Sequence, residues 1–158
     1  MFSISRNKNR AFSLIELVIV VVIIGIIAAI AIPRMSRGAT GANDHALSGN
    51  LAVLRKAIDL YQAEHDGVYP TAVDINNQLT LYTDIAGDAQ PAKDATHIYG
   101  PYLRAIPPLT APSPRKGGTL IGAADGTNVG WLYVATDGKI TANTTTEKDA
   151  SNKLYNTY

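Results

Sequence analysis

Between Phe12 and Pro33 the chain is almost purely apolar, reading FSLIELVIVVVIIGIIAAIAIP. Glu16 is its one ionisable group, and from Leu17 to Ile32 no side chain is charged or polar. At about 1.5 Å per residue, Phe12–Ile32 makes a helix of roughly 31 Å, close to the thickness of a bilayer core. From Asn43 a different pattern takes over. Leu47, Leu51, Leu54, Ile58 and Tyr61 recur at helical spacing, and Ala46, Val53, Ala57 and Leu60 broaden the stripe. Arg55, Lys56, Asp59, Gln62 and Glu64 lie off it. Gly67 supplies a C-cap and Pro70 prevents continuation. Together the patterns predict one helix from Phe12 to about His65, roughly 80 Å if unbroken. It is apolar all round in its first half and on one face in its second. Pro33 removes a backbone bond, which predicts a kink or local opening, and Gly38 and Gly41 follow closely. Residues 33–41 are therefore the weakest part of the predicted helix.

Residues 68–128 carry turn signals every few positions and no sustained period. They read as mostly irregular, with helical turns near Ile75–Tyr82 and Gly100–Arg104. Pro107, Pro108, Pro112 and Pro114 hold Ala105–Arg115 extended. Gly118–Ile121 is a short strand, and Gly130–Ala135 a stronger one, alternating, aromatic and β-branched. Asp137-Gly138 signals a turn and Lys139–Ala142 returns as the partner strand. These strands predict a small antiparallel sheet whose apolar face covers the helix stripe. Residues 143–158, rich in Thr, Asn, Lys and Tyr, read as a loose tail. The fold class is α+β. The layout is a basic leader (1–11), a membrane or core helix (12–33), an amphipathic helix (34–66) and a globular head (67–158).

Composition narrows the function. Without the leader and apolar stretch, about 125 of the 158 residues remain, enough for one small domain. The net charge of +1 gives no argument for nucleic acid. Arg6, Lys8 and Arg10 make the leader basic, which keeps it cytoplasmic and puts the head outside, although Arg34 and Arg37 narrow the bias. There is no cysteine, so disulfides, thiol catalysis and thiolate metal sites are excluded.

On the residues alone, Phe12–Ile32 has three readings: a plain anchor, a signal peptide cleaved after Ala29-Ile30-Ala31, or a helix that leaves the bilayer to pack against copies of itself. Glu16 favours the third. A carboxylate inside an apolar segment costs a few kcal/mol and marks function. A helix packed beside its neighbours can pair it with a positive group.

The basic leader, the FSLIEL segment and the β-branched run ending at Pro33 resemble the class III signal of type IV pilins and type II secretion pseudopilins. The resemblance implies that prepilin peptidase cuts between Ala11 and Phe12 and that the new Phe12 amine is methylated. Glu16 is then the fifth mature residue, and Gly25 and Pro33 fall at the family's glycine and proline positions. Ala11 departs from the glycine usual before the cut. An α-amine with a pKa of about 8 is mostly cationic at neutral pH. In an apolar filament core, Glu16 of one subunit would pair with the Phe12 amine of the next and fix the axial register.

The head is similar, more narrowly, to the major pseudopilin of type II secretion. Tyr69-Pro70-Thr71, the Gly100–Pro107 segment and the Trp131–Ala142 hairpin carry that likeness. Two departures stand out. Pro108-Leu109-Thr110 replaces an Asp-Pro-Trp-Gly, and the loop after the final turn, which binds calcium in the family, keeps Asp137 as its one carboxylate. Calcium takes six to eight oxygens, so Asp137 is at most a calcium remnant, with Glu147 and Asp149 the nearby acids that could complete it. No other cofactor is expected.

Other residues have plain readings. His45, His65 and His97 fit no metal spacing and read as solvated or edge-of-core histidines. Arg115-Lys116 with Tyr99 and Tyr102 offers too few charges for nucleic acid. Asn143-Thr144-Thr145 matches a glycosylation acceptor and carries little weight. No phosphate loop, dinucleotide fingerprint, nucleophile elbow or paired-histidine motif occurs, so an enzyme is not expected. The resemblance implies a non-enzymatic subunit of a type II secretion filament, single-pass in the bacterial inner membrane with its head periplasmic. Its expected partners are copies of itself, other pseudopilins, prepilin peptidase and an inner-membrane assembly platform. The alternatives are a type IV pilin for adhesion, motility or DNA uptake, and a monomeric membrane-anchored or secreted binding domain.

Overall fold

The computed structural model describes residues 12–158, with the side chains of residues 32–40 left aside. The leader, and with it Ala11, lies outside the described residues. The chain divides into two units, Met1–Gly38 and Ala39–Tyr158. One helix, α1 (Leu14–Glu64), begins in the first and ends in the second. It is helical throughout residues 33–41, so the local opening expected at Pro33 does not occur. Pro33 forgoes its own N–H bond, but its fixed φ suits a helix, and the neighbouring turns carry the backbone through. The division between the units nevertheless falls inside that segment, at Gly38 and Ala39.

In the first unit the described part of α1 packs against nothing. Leu14–Ala31 is long and apolar enough to cross a membrane, and none of it is buried.

In the second unit the spacing of the stripe does what it predicts. Leu47, Leu51, Leu54, Ala57, Ile58 and Tyr61 are all buried. Burying each of the larger ones contributes about 1.5–3 kcal/mol. The stripe is narrower than expected, however: Ala46, Val53 and Leu60 face solvent, Val53 at 50 % exposure. Helix α1 ends where Asp66 and Gly67 take positive φ (52° and 81°) and the Gly67 N–H donates to the Gln62 carbonyl.

A short helix, α2 (Ile75–Thr80), follows and buries Ile75, Gln78 and Leu79. Two-residue strands β1 (Tyr82–Thr83) and β2 (Ala89–Gln90) pair antiparallel, a ladder too short to leave a periodic signal. No helical turn forms at Gly100–Arg104. The N–H groups of Tyr102 and Leu103 both donate to the Leu79 carbonyl at the end of α2, so this backbone pairs with another element.

The second sheet holds β3 (Leu120–Gly122), β4 (Val129–Val134) and β5 (Lys139–Ala142), in that order. Strands β4 and β5 form the expected antiparallel hairpin, from Trp131 opposite Ala142 to Val134 opposite Lys139. Strand β3 joins parallel to β4, with a register shift after Leu120. Alternation puts Trp131, Tyr133, Ile140, Ala142 and Ile121 in one core with the helix stripe. The Trp131 Nε1–H donates to the Pro107 carbonyl (2.8 Å) and the Tyr133 hydroxyl to the Pro70 carbonyl (3.0 Å), tying the sheet to the loops. The fold is thus α+β: a long N-terminal helix and a head built on small sheets.

The end of the chain is not loose. Tyr155 is fully buried, in the 3-10 turn Tyr155–Thr157, and its hydroxyl donates to Asp44 Oδ1 on α1 (2.6 Å). Arg55 on α1 donates to the Tyr158 carbonyl. The composition of the segment is polar, but one aromatic ring anchors it.

Candidate processing and assembly site

The site begins where α1 begins. Ser13 is the residue before the first helical position and Glu16 the third position within. The Ser13 N–H donates to Glu16 Oε2 (3.0 Å), and the Ser13 carbonyl accepts the Leu17 N–H (3.2 Å). This is the carboxylate half of a capping box, in which the acid satisfies a backbone donor that the helix leaves orphaned. The Ser-x-x-Glu signal is present at residues 13–16 but is masked by the apolar run around it. A negative charge at this end also complements the helix dipole.

Phe12 stands just outside the helix and is 84 % exposed. Glu16 and Phe12 are therefore neighbours in one turn. Gly25 and Pro33 are not: at about 1.5 Å per residue they stand roughly 13 and 25 Å further along the helix from Glu16. The four assembly candidates make a line along a helix, not a cluster. A Cβ placed on Gly25 would meet nothing within 4 Å. A mid-helix glycine costs up to about 1 kcal/mol against alanine, and nothing in the described chain accounts for this one.

Asp137 lies elsewhere, in the head. It sits at the β4–β5 turn, where its Oδ1 accepts the Lys139 N–H (3.0 Å) and Gly138 takes φ +68°. Neither Glu147 nor Asp149 joins it. Glu147 Oε2 accepts the N–H groups of Thr145 (2.8 Å) and Thr146 (3.0 Å), and Asp149 Oδ1 those of Ser151 and Lys153 (2.8 Å each). Among the described residues no three His, Cys, Asp or Glu side chains gather as metal ligands.

The histidines also take different places. His65 is fully buried, not at an edge, and stacks on Tyr61 with ring centroids 3.8 Å apart. Its Nδ1–H donates to the Tyr61 carbonyl (2.8 Å), and Nε2 meets the Thr83 hydroxyl (3.1 Å). His97 binds Asp94 within an exposed loop. Both roles are structural. Arg115 is paired with an acid: it meets Asp125 through two bonds, 2.6 and 2.7 Å long.

Residues 6–32 match the family model described as the prokaryotic N-terminal methylation motif. The chain carries a prokaryotic N-terminal methylation motif. The match spans the junction of Ala11 and Phe12 and takes in Glu16 and Gly25, so it supports the type IV pilin-like resemblance of this segment. It lies wholly in the first unit and stops short of the head. It therefore says nothing of type II secretion as against a pilus. No curated protein matches the chain, and no solved structure does. The methylation signal and the apolar helix behind it are compatible with a single-pass inner-membrane anchor.

Proposed function

We propose that the protein is a structural subunit of a type II secretion filament, a pseudopilin, and not an enzyme. The observation that supports a filament subunit is the methylation motif joined to an unburied apolar helix that holds one carboxylate, Glu16. As a prepilin it spans the inner membrane with residues 1–11 in the cytoplasm and its head in the periplasm. Prepilin peptidase cuts between Ala11 and Phe12, and the Phe12 amine is methylated. On an assembly platform the helix leaves the bilayer and packs among copies of itself and other pseudopilins. Helix Leu14–Ile32 exchanges lipid for other helices, so little apolar surface meets water in transit. Small residues such as Gly25 let helices approach closely, and Glu16 pairs with the Phe12 amine of the next subunit.

Type II secretion, as the system served, rests on the head segments Tyr69–Thr71, Gly100–Pro107 and Trp131–Ala142. A type IV pilus subunit is the second reading, favoured by Pro108-Leu109-Thr110 and by the single carboxylate of the Asp137 loop. Deleting the gene in its native host separates them. Loss of folded enzymes from the culture medium, with surface fibres and motility intact, is the expected result. Loss of surface fibres with secretion intact would overturn the secretion reading and leave the pilus one.

A further inference from the structure

The resemblance would place calcium in the loop after the final turn, and the donors there are differently engaged. Asp137 precedes the other end of β5, whose four extended residues span about 13 Å. Glu147 and Asp149 each cap their own backbone turns. Calcium needs six to eight oxygens, several from carboxylates, and these acids do not converge to provide them.

A guanidinium stands there instead. Arg115 Nε donates to Asp125 Oδ1 (2.6 Å) and its Nη2 to Asp125 Oδ2 (2.7 Å), a two-pronged pair of the strong kind. Asn143, the first residue after β5, donates from Nδ2 to the same Asp125 Oδ1 (2.8 Å) and to the Val129 carbonyl (2.7 Å). The Ser113 hydroxyl donates to the Asn143 carbonyl (3.3 Å) and accepts the Arg115 N–H (3.0 Å). Three separate segments, 113–115, 125–129 and 143, thus meet on one carboxylate and one cation. A cavity of about 190 Å³ beside them is lined by Arg115, Asp125, Asn143 and Glu147.

We propose that Arg115 does here what a bound divalent cation would do: it neutralises Asp125 and cross-links the three loops, so that the head folds without calcium. One guanidinium meets one carboxylate directly and Asn143 is neutral, while Glu147, which also lines the cavity, accepts the N–H groups of Thr145 and Thr146. The Arg115 hydrogen bonds, then that of Asn143, hold the Asp125 carboxyl down to about 2. The inference stands on the head alone and does not depend on which filament the protein builds, or whether it builds one.

Hydrogen exchange of the full chain in detergent tests it, read by mass spectrometry on peptides covering 113–129 and 143–147. Wild type is expected to exchange identically in millimolar calcium chloride and in excess chelator. Arg115→Gln is expected to exchange at least about threefold faster in those peptides, while the buried β4–β5 core is unchanged. Slower wild-type exchange with calcium would overturn the proposal, as would an Arg115→Gln protein that exchanges like wild type. The calcium arm needs no variant, so it decides even if the substitution proves disruptive.

Discussion

Glu16 is placed to serve two partners. In the single chain its carboxylate accepts the Ser13 N–H. In a filament it is proposed to face the Phe12 amine of a neighbour. Glutamine separates the two, because Gln also serves in a capping box but carries no charge. Glu16→Gln is expected to leave the monomer folded and inserted yet to abolish filament assembly, measured by cross-linking in membranes. Normal assembly of Glu16→Gln would mean that the cap is the residue's whole role. At Gly138 the constraint is geometric. Its φ is +68°, and a Cβ there would lie 2.3 Å from Tyr69 Cε1. Gly138→Ala is expected to cost about 1–3 kcal/mol, seen as a lower denaturation midpoint by fluorescence of Trp131, the only tryptophan. Asp125 sets a pH response. Its carboxyl titrates at about 2 when folded, against about 3.9 unfolded. The folded value is the lower one, so its contribution is complete above about pH 4 and is lost as pH falls through about 2. The Asn143 side-chain amide signal is expected to shift with a midpoint near the lower value.

Among the elements, those with a period were legible and those held by single contacts were not. Leu47 to Tyr61 declared their helix face, and Trp131 to Ala142 their hairpin, because each repeats its pattern over several residues. The Ser13–Glu16 cap was written in the sequence but lay inside a stronger apolar signal. Nothing local marks the pairing of Arg115 with Asp125 and Asn143, since it joins residues 10 and 18 positions apart from Asp125 across loops. The last segment hid in the same way. Its hold on α1 depends on Tyr155, a single buried ring whose hydroxyl meets Asp44. Tyr155→Phe keeps the ring and removes a hydrogen bond to a carboxylate, which is expected to cost about 1.5–3 kcal/mol. Tyr155→Ala also leaves a cavity and is expected to cost about 3–5 kcal/mol or more. Thermal melts of the two variants measure the difference, and equal losses would show that the ring contributes nothing.

For the whole molecule, the two units carry different kinds of stability. The head has its own core, from Leu47 to Tyr155. The described part of the first unit has none, and its Leu14–Ala31 helix is unburied and long and apolar enough to cross a membrane. That unburied helix, with a methylation motif across residues 6–32, supports the proposed filament subunit. The proposed filament rests on a cut between Ala11 and Phe12. Mass spectrometry of the N-terminus, on protein recovered from its native membrane, tests that cut most directly. The account predicts a first peptide that begins at N-methylated Phe12. A peptide beginning at Ile32 would make the apolar stretch a removed signal peptide, and an intact Met1 would leave it an ordinary anchor; either would contradict the filament.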